Sequence, residues 1–188
     1  TIEGTYKIDN NNDVYMQEVI ELDSSLTKNQ LYIFAKEYIT NSYGNANAVI
    51  QVDDKEQGLI ICKGLYSDIS CTEISIGSAG KYTATHILKF QIKDGRIRVT
   101  ISVTNINEYY APSYSAGYYD EGRSTDRKMT DYYPINKGSR PVMEKKLKAR
   151  EGYVFYKVVG RMQNTIKSIK TQFTNPQNSN YSKEDDNW

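Results

Sequence analysis

Few side chains in this 188-residue chain are of kinds that carry out chemistry, and their spacing speaks against most reactions. His86 is the only histidine. A general base needs a nucleophile or an orienting partner within reach, and no motif supplies one. A composite site around His86 is the enzymatic alternative, and it requires the ring to meet solvent beside a carboxylate or hydroxyl. One histidine with Cys62 and Cys71 makes neither a zinc ligand cluster nor a CxxC pair. Asp53, Asp54 and Glu56 could attract a hard cation, but their run lacks EF-hand spacing and reads as a solvated turn. Gly77-Ser78-Ala79-Gly80 departs from the nucleophile-elbow pattern, and the glycines form no phosphate loop or dinucleotide fingerprint. The expectation is a non-enzyme with no catalytic residue, cofactor or metal site.

Tyrosine is the residue type in excess, with 17 Tyr against 4 Phe and 1 Trp. Seven of them, Tyr109, Tyr110, Tyr114, Tyr118, Tyr119, Tyr132 and Tyr133, fall between Asn107 and Arg140. That zone mixes charge, holds two prolines and shows no sustained period, so it reads as a long excursion from the fold. Tyrosine offers contact area and a hydroxyl at low entropy cost, so the seven are candidates for a platform that binds a protein or a glycan. The competing reading is a loop whose tyrosines pack on one another and cover the sheet.

Positioning falls to a hairpin. Lys81 to Asn105 reads as two strands folded back at Asp94-Gly95, a dipeptide that favours a type I′ turn. A two-residue turn sets Ile92 opposite Ile97, Phe90 opposite Val99, Leu88 opposite Ile101 and His86 opposite Val103. Both strands then turn apolar side chains to one face, and a one-residue slip would reverse one strand's set. Such a one-sided antiparallel sheet has to be covered.

Upstream, Asp13 to Leu22 reads as a strand with Val14, Met16 and either Val19 or Ile20 inward. Thr27 and Gln30 form a capping box that starts a helix running to about Ser42, with Leu31, Phe34, Ala35, Tyr38 and Ile39 as its apolar stripe. Ala48 to Val52 and Leu59 to Tyr66 read as strands around a charged turn at Asp53 to Gly58. A further short strand is expected at Thr72 to Ile76. Cys62 and Cys71 are either two free thiols, one buried and one exposed, or a single bridge in an exported chain. Helical spacing returns from Gly152 to about Thr174, and Gly160 within it costs roughly 1 kcal/mol relative to Ala unless close packing needs it. The basic stretch Pro141 to Glu151 ahead of it is compatible with helix, and residues 175–188 read as a disordered polar tail.

The expected fold class is therefore α+β, an antiparallel sheet of about five strands with two helices on one face, in the order strand, helix, four strands, helix. It forms one domain over residues 1–174, with the tyrosine-rich insertion at about 107–140. Mean hydropathy is −0.67 and no apolar run approaches the roughly 20 residues of a membrane span. A formal charge of +1 speaks against a strongly basic nucleic-acid binder. Lys89, Lys93, Arg96 and Arg98 on the polar sheet face are the residues that could touch phosphate. Phe90 points the other way, and no nucleic-acid partner is expected. The chain opens at Thr1, as a trimmed or processed chain does, and a signal peptide could have been removed, so its absence proves nothing.

The segments LTKNQLYIFAKEYITNSYG and AVIQVDDKEQGLIICKG, the long hairpin and the closing helix together resemble a Bacteroidetes family of exported domains of unknown function, domain of unknown function 4468. The matching pieces are Leu26 to Tyr32 at the helix start, Asp53 to Gly58 at the turn, and Gly64 after the strand. The resemblance covers about Val14 to Thr104 and the final helix, with Tyr38 standing where the family tends to carry Trp. It implies a fold like one half of the TATA-binding protein and an extracytoplasmic location, in the periplasm or as an outer-membrane lipoprotein. It implies no activity and no site residues.

Overall fold

The structure, a computed structural model, describes residues 4–70, 81–137 and 144–175. Its element order opens with β1 (Lys7–Ile8), β2 (Val14–Glu21), α1 (Lys28–Ser42), α2 (Ala46–Val49), β3 (Ile50–Asp54) and β4 (Leu59–Ser70). β5 (Lys81–Lys93) and β6 (Arg96–Tyr110) form the long hairpin, followed by β7 (Ser113–Ser115), β8 (Tyr118–Asp120), β9 (Arg123–Arg127) and the 31-residue helix α3 (Glu144–Thr174). One sheet runs in the order β1-β2-β6-β5-β4-β3, with β9 also on β6, and β7-β8 make a second, two-stranded sheet. This is an α+β fold with an antiparallel sheet and few helices. The strand count is seven in the main sheet against the about five expected.

The hairpin follows the sequence pattern. Tyr82, Ala84, His86, Leu88, Phe90 and Ile92 of β5 are buried, as are Ile97, Val99, Ile101 and Val103 of β6. Gly95 closes the turn at φ +67°, a left-handed conformation that glycine adopts without strain, but Asp94 is not left-handed, so the turn is not the type I′ expected. Its neighbour Asp94 accepts a 2.6 Å hydrogen bond from the Lys28 amide, so the hairpin tip also caps α1. Within α1 the capping box is complete, with the Gln30 amide donating to Thr27 Oγ1 and the Thr27 amide donating to Gln30 Oε1.

The chain divides into two compact units, each built from pieces distant in sequence. One comprises Gln17–Lys63, Leu88–Ile101 and Gln163–Trp188. In it α1 lays Tyr38 edge-on to Phe90 at 6.3 Å and Phe34 edge-on to Phe173 of α3 at 6.4 Å. Of the two alternatives on β2, Ile20 is the buried one, and Val19 is 42% exposed. The other unit comprises Thr1–Met16, Gly64–Ile87 and Ser102–Met162, with Val154, Phe155, Val158 and Val159 of α3 in its core.

Several expectations need correction. Ala48 to Val52 is not one strand: the Asn45 side chain accepts from the Ala48 amide and caps the single turn α2, so β3 starts only at Ile50. β4 continues four residues past Tyr66. Asn107 to Arg140 is not a structureless excursion, since β6 reaches Tyr110 and β9 returns as a strand beside it. The alternation that ends at Val103 resumes one residue out of phase at Ile106 and Glu108, which hides the continuation from a period-2 reading. Helix α3 runs unbroken from Glu144, eight residues ahead of Gly152. The expected strand at Thr72 to Ile76, Cys71 and the tail from Pro176 lie outside the described residues.

A Cβ at Gly160 would meet no atom within 4 Å, so close packing does not require the glycine. Gly160→Ala should raise stability by about 1 kcal/mol, read as a shifted denaturation midpoint at unchanged m-value. A neutral or negative shift would show that the site is more crowded than its backbone implies.

Candidate functional site

The tyrosine-rich region is built on a ladder. Ile106, Asn107, Glu108, Tyr109 and Tyr110 of β6 pair with Arg127, Asp126, Thr125, Ser124 and Arg123 of β9. Gly122 immediately precedes β9 at φ +77°, where a Cβ would stand 2.6 Å from the Tyr110 carbonyl oxygen. Only glycine fits there, and it lets the chain return from the smaller hairpin into the ladder. In that hairpin β7 and β8 are joined by Ala116 (φ +50°) and Gly117 (φ +85°), two left-handed residues as a type I′ turn demands.

Cross-strand partners share a face, so Tyr114 and Tyr119, opposite each other, lie on one side of the arm. Tyr118, opposite Ser115, points to the other side. All three rings stand in water, with Tyr114 74%, Tyr118 81% and Tyr119 67% exposed. Tyr109, on β6, is exposed as well, at 42%.

The remaining tyrosines do a different job. Tyr132 is fully buried, so no partner can touch it. Its hydroxyl donates to Glu108 at 2.6 Å, and burial first, then that bond, hold its proton far above the usual phenol range. Arg127 lies over the Tyr132 ring at 4.4 Å and forks between two carboxylates, Glu108 and Glu151, each at 3.1 Å. Glu151 also accepts from the Tyr133 amide, and the half-buried Tyr133 ring packs on the bare Cα of Gly152. Tyr110 is half-buried, with its hydroxyl 3.2 Å from that of Tyr82. The seven tyrosines therefore separate into an exposed set, 109, 114, 118 and 119, and an anchoring set, 110, 132 and 133. No apolar period marks the Glu108–Arg127–Glu151–Tyr132 cluster in sequence. Its one signal is an inward acid on a strand whose partner carries an arginine.

The other chemical candidates are placed as follows. His86 is 2% exposed and stacked on Tyr66 with ring centroids 4.1 Å apart. Burial pushes its pKa down to about 4, so the ring is neutral at pH 7 and does not meet the solvent that a composite site there requires. Cys62 is a buried free thiol pushed up to about 11 by desolvation, which leaves it without reactive thiolate. Asp53 is held below the ordinary carboxylate range by the Lys36 ammonium at 2.5 Å and by the Tyr32 hydroxyl. Asp54 accepts from the Gln57 amide and shapes the turn. Among the described residues no three His, Cys, Asp or Glu side chains are placed to share a metal. Lys93, Arg96 and Arg98 are exposed, and Lys89 is half-buried. In the unit that holds α1, an open groove of about 460 Å³ is lined by Asn41, Asn164, Lys167, Ser168, Thr171 and Gln172. It offers amides and hydroxyls but no acid–base pair. No helix of the described residues is long and apolar enough to cross a membrane.

Residues 16–108 match a family described as a domain of unknown function (DUF4468) with TBP-like fold. No curated protein matches the chain. One similar solved structure is a crystal structure of a DUF4468 family protein from Bacteroides ovatus ATCC 8483, 16% identical over 93% of each chain with a TM-score of 0.63. Another is a TBP-like protein from Parabacteroides distasonis ATCC 8503, 18% identical over 87% of this chain and 96% of that one with a TM-score of 0.53. At these identities the likeness is one of fold. Over residues 16–108 the chain carries a domain that matches the DUF4468 family, of unknown function and TBP-like in fold.

Proposed function

We propose that this protein is a non-catalytic, extracytoplasmic binding module that takes a glycan on its tyrosine arm. One observation carries the reading: three tyrosine rings left in water on a short hairpin whose base is tied into a sheet. A phenol ring kept wet gains nothing for the fold, whereas its flat face suits the C–H face of a pyranose and its hydroxyl suits the sugar's own hydroxyls. The exposed rings of Tyr114 and Tyr119 on one face offer one such surface, and Tyr118 offers a second on the opposite side. A protein partner is less well served, because a stable interface takes roughly 800 Å² per side and the arm is a single small hairpin.

Hydrogen exchange of residues 113–120, followed with and without a panel of neutral and acidic oligosaccharides, tests the reading. The ladder amides of β6 and β9 should be protected throughout, and the arm amides should exchange quickly until a binding sugar slows them. The Tyr114→Ala/Tyr119→Ala double variant should keep its thermal midpoint and lose at least about tenfold in affinity for that sugar. Exchange at the arm that no oligosaccharide alters, or a double variant that binds as the parent does, would remove the arm from the function.

A further inference from the structure

One cation at the base of the arm has no ion-pair partner among the described residues. Arg123 closes the β6–β9 ladder opposite Tyr110, and its guanidinium lies over that ring, 4.6 Å from the centroid. The ring is itself fixed by the 3.2 Å contact between its hydroxyl and that of the buried Tyr82. A second guanidinium, from Arg150, stands 5.9 Å from the same centroid. Stacking on an aromatic face holds the Arg123 plane while leaving its N–H edge able to donate, so little rotamer freedom is lost on binding.

The carboxylates of this unit are mostly taken. Glu108 and Glu151 serve Arg127, Asp126 accepts from Asn107 Nδ2, Asp13 faces Lys128, and Asp120 accepts from the Gly122 amide. No described residue forms an ion pair with Arg123. An oriented guanidinium fork therefore stands on the strand that leaves the arm carrying the exposed rings, with no ion partner among the described residues.

We propose that Arg123 is the anion-binding residue of this surface and that its ligand is a carboxylate-bearing, uronate-type oligosaccharide, an inference that rests on the glycan reading above. A uronate joins on one residue the two features the surface can use, a flat C–H face for a tyrosine ring and a planar carboxylate for a bidentate guanidinium. An acidic peptide brings the charge without the flat face. Asp120 and Glu121, next to Arg123 in sequence, repel any anion, so binding requires the bidentate guanidinium contact to outweigh that repulsion.

Fragments of polygalacturonate, alginate and hyaluronan, each beside its carboxyl-reduced counterpart, are titrated by calorimetry against the parent protein. The Arg123→Gln, Arg123→Lys and Tyr114→Ala/Tyr119→Ala variants are titrated in parallel. At least one acidic fragment should bind about tenfold or more tighter than its reduced form, and Arg123→Gln should abolish that preference. Arg123→Lys keeps the charge but not the fork and should lose most of it, while both variants should still bind the carboxyl-reduced fragments as the parent does, which shows that they are folded. Affinity should also fall as salt rises. Equal, tyrosine-dependent binding of acidic and reduced fragments overturns the role of Arg123 and leaves the glycan reading standing. Failure of every fragment to bind overturns both. Poly-glutamate or a sulfated dextran bound as tightly as the uronates, with the same dependence on Arg123, overturns the assignment to a carboxylate sugar.

Discussion

Arg127→Met should lower stability by about 3 kcal/mol, because it strands two carboxylates that are largely withdrawn from water. Glu108 and Glu151 have side chains only 10% and 13% exposed, and the arginine is their shared cation, with a further bond from its Nη2 to the Asp131 carbonyl. Arg127→Lys should fall in between, since a single ammonium cannot fork to both acids. The triple variant Arg127→Met/Glu108→Leu/Glu151→Leu should recover much of the loss, because removing all the charges together removes the desolvation penalty. Urea unfolding at pH 7 measures all three. A loss under about 1 kcal/mol for Arg127→Met would mean that water reaches the acids once the guanidinium is gone, and that the cluster does little to hold β9 in place.

Acid should weaken the fold in a window set by His86. Burial depresses its pKa to about 4 in the folded state, against an ordinary 6.5 when unfolded. Above pH 6.5 both states hold a neutral ring and the histidine has no effect. Below it the unfolded chain takes up a proton that the folded one refuses, so stability falls as pH drops toward 4 and then levels. The size follows from the shift and is on the order of 3 kcal/mol. Asp23 and Asp53, whose carboxyls are held below the usual range, lose their contributions only at lower pH, so the windows separate. His86→Phe, which keeps a flat ring against Tyr66, should flatten the profile between pH 6.5 and 4.5 whatever it does to the baseline. A profile in which parent and variant have the same slope would show that the ring is solvated in solution.

How much of this could be read in advance depended on whether a segment obeyed one period. The hairpin from Lys81 to Val103 obeys the strand period throughout, and the capping box at Thr27 and Gln30 is local chemistry four residues long, so both were legible. The turn α2 was not, because Asn45 caps it from a stretch whose apolar residues suit a strand equally well. β9, with the sequence RSTDR, carries no apolar side chain at all and exists because β6 offers it an edge. Tertiary pairing outweighs propensity there. For the candidate site, the sequence marked a tyrosine-rich stretch but could not sort its tyrosines. Tyr132 and Tyr119 are the same residue type in similar polar surroundings, and only the fold, which puts one against Glu108 and the other on a hairpin opposite Tyr114, separates anchor from exposed ring.

The arm grows from the end of β6, a fifteen-residue strand that lies between β2 and β5 in the sheet. That has a mechanical consequence. Tension applied at the arm, by a ligand fixed to a wall or surface, would pass along the covalent backbone of β6 into the middle of the sheet and not peel a strand from its rim. The rows of hydrogen bonds flanking β6 would then be sheared together rather than opened one at a time, the geometry in which a β-structure resists force best.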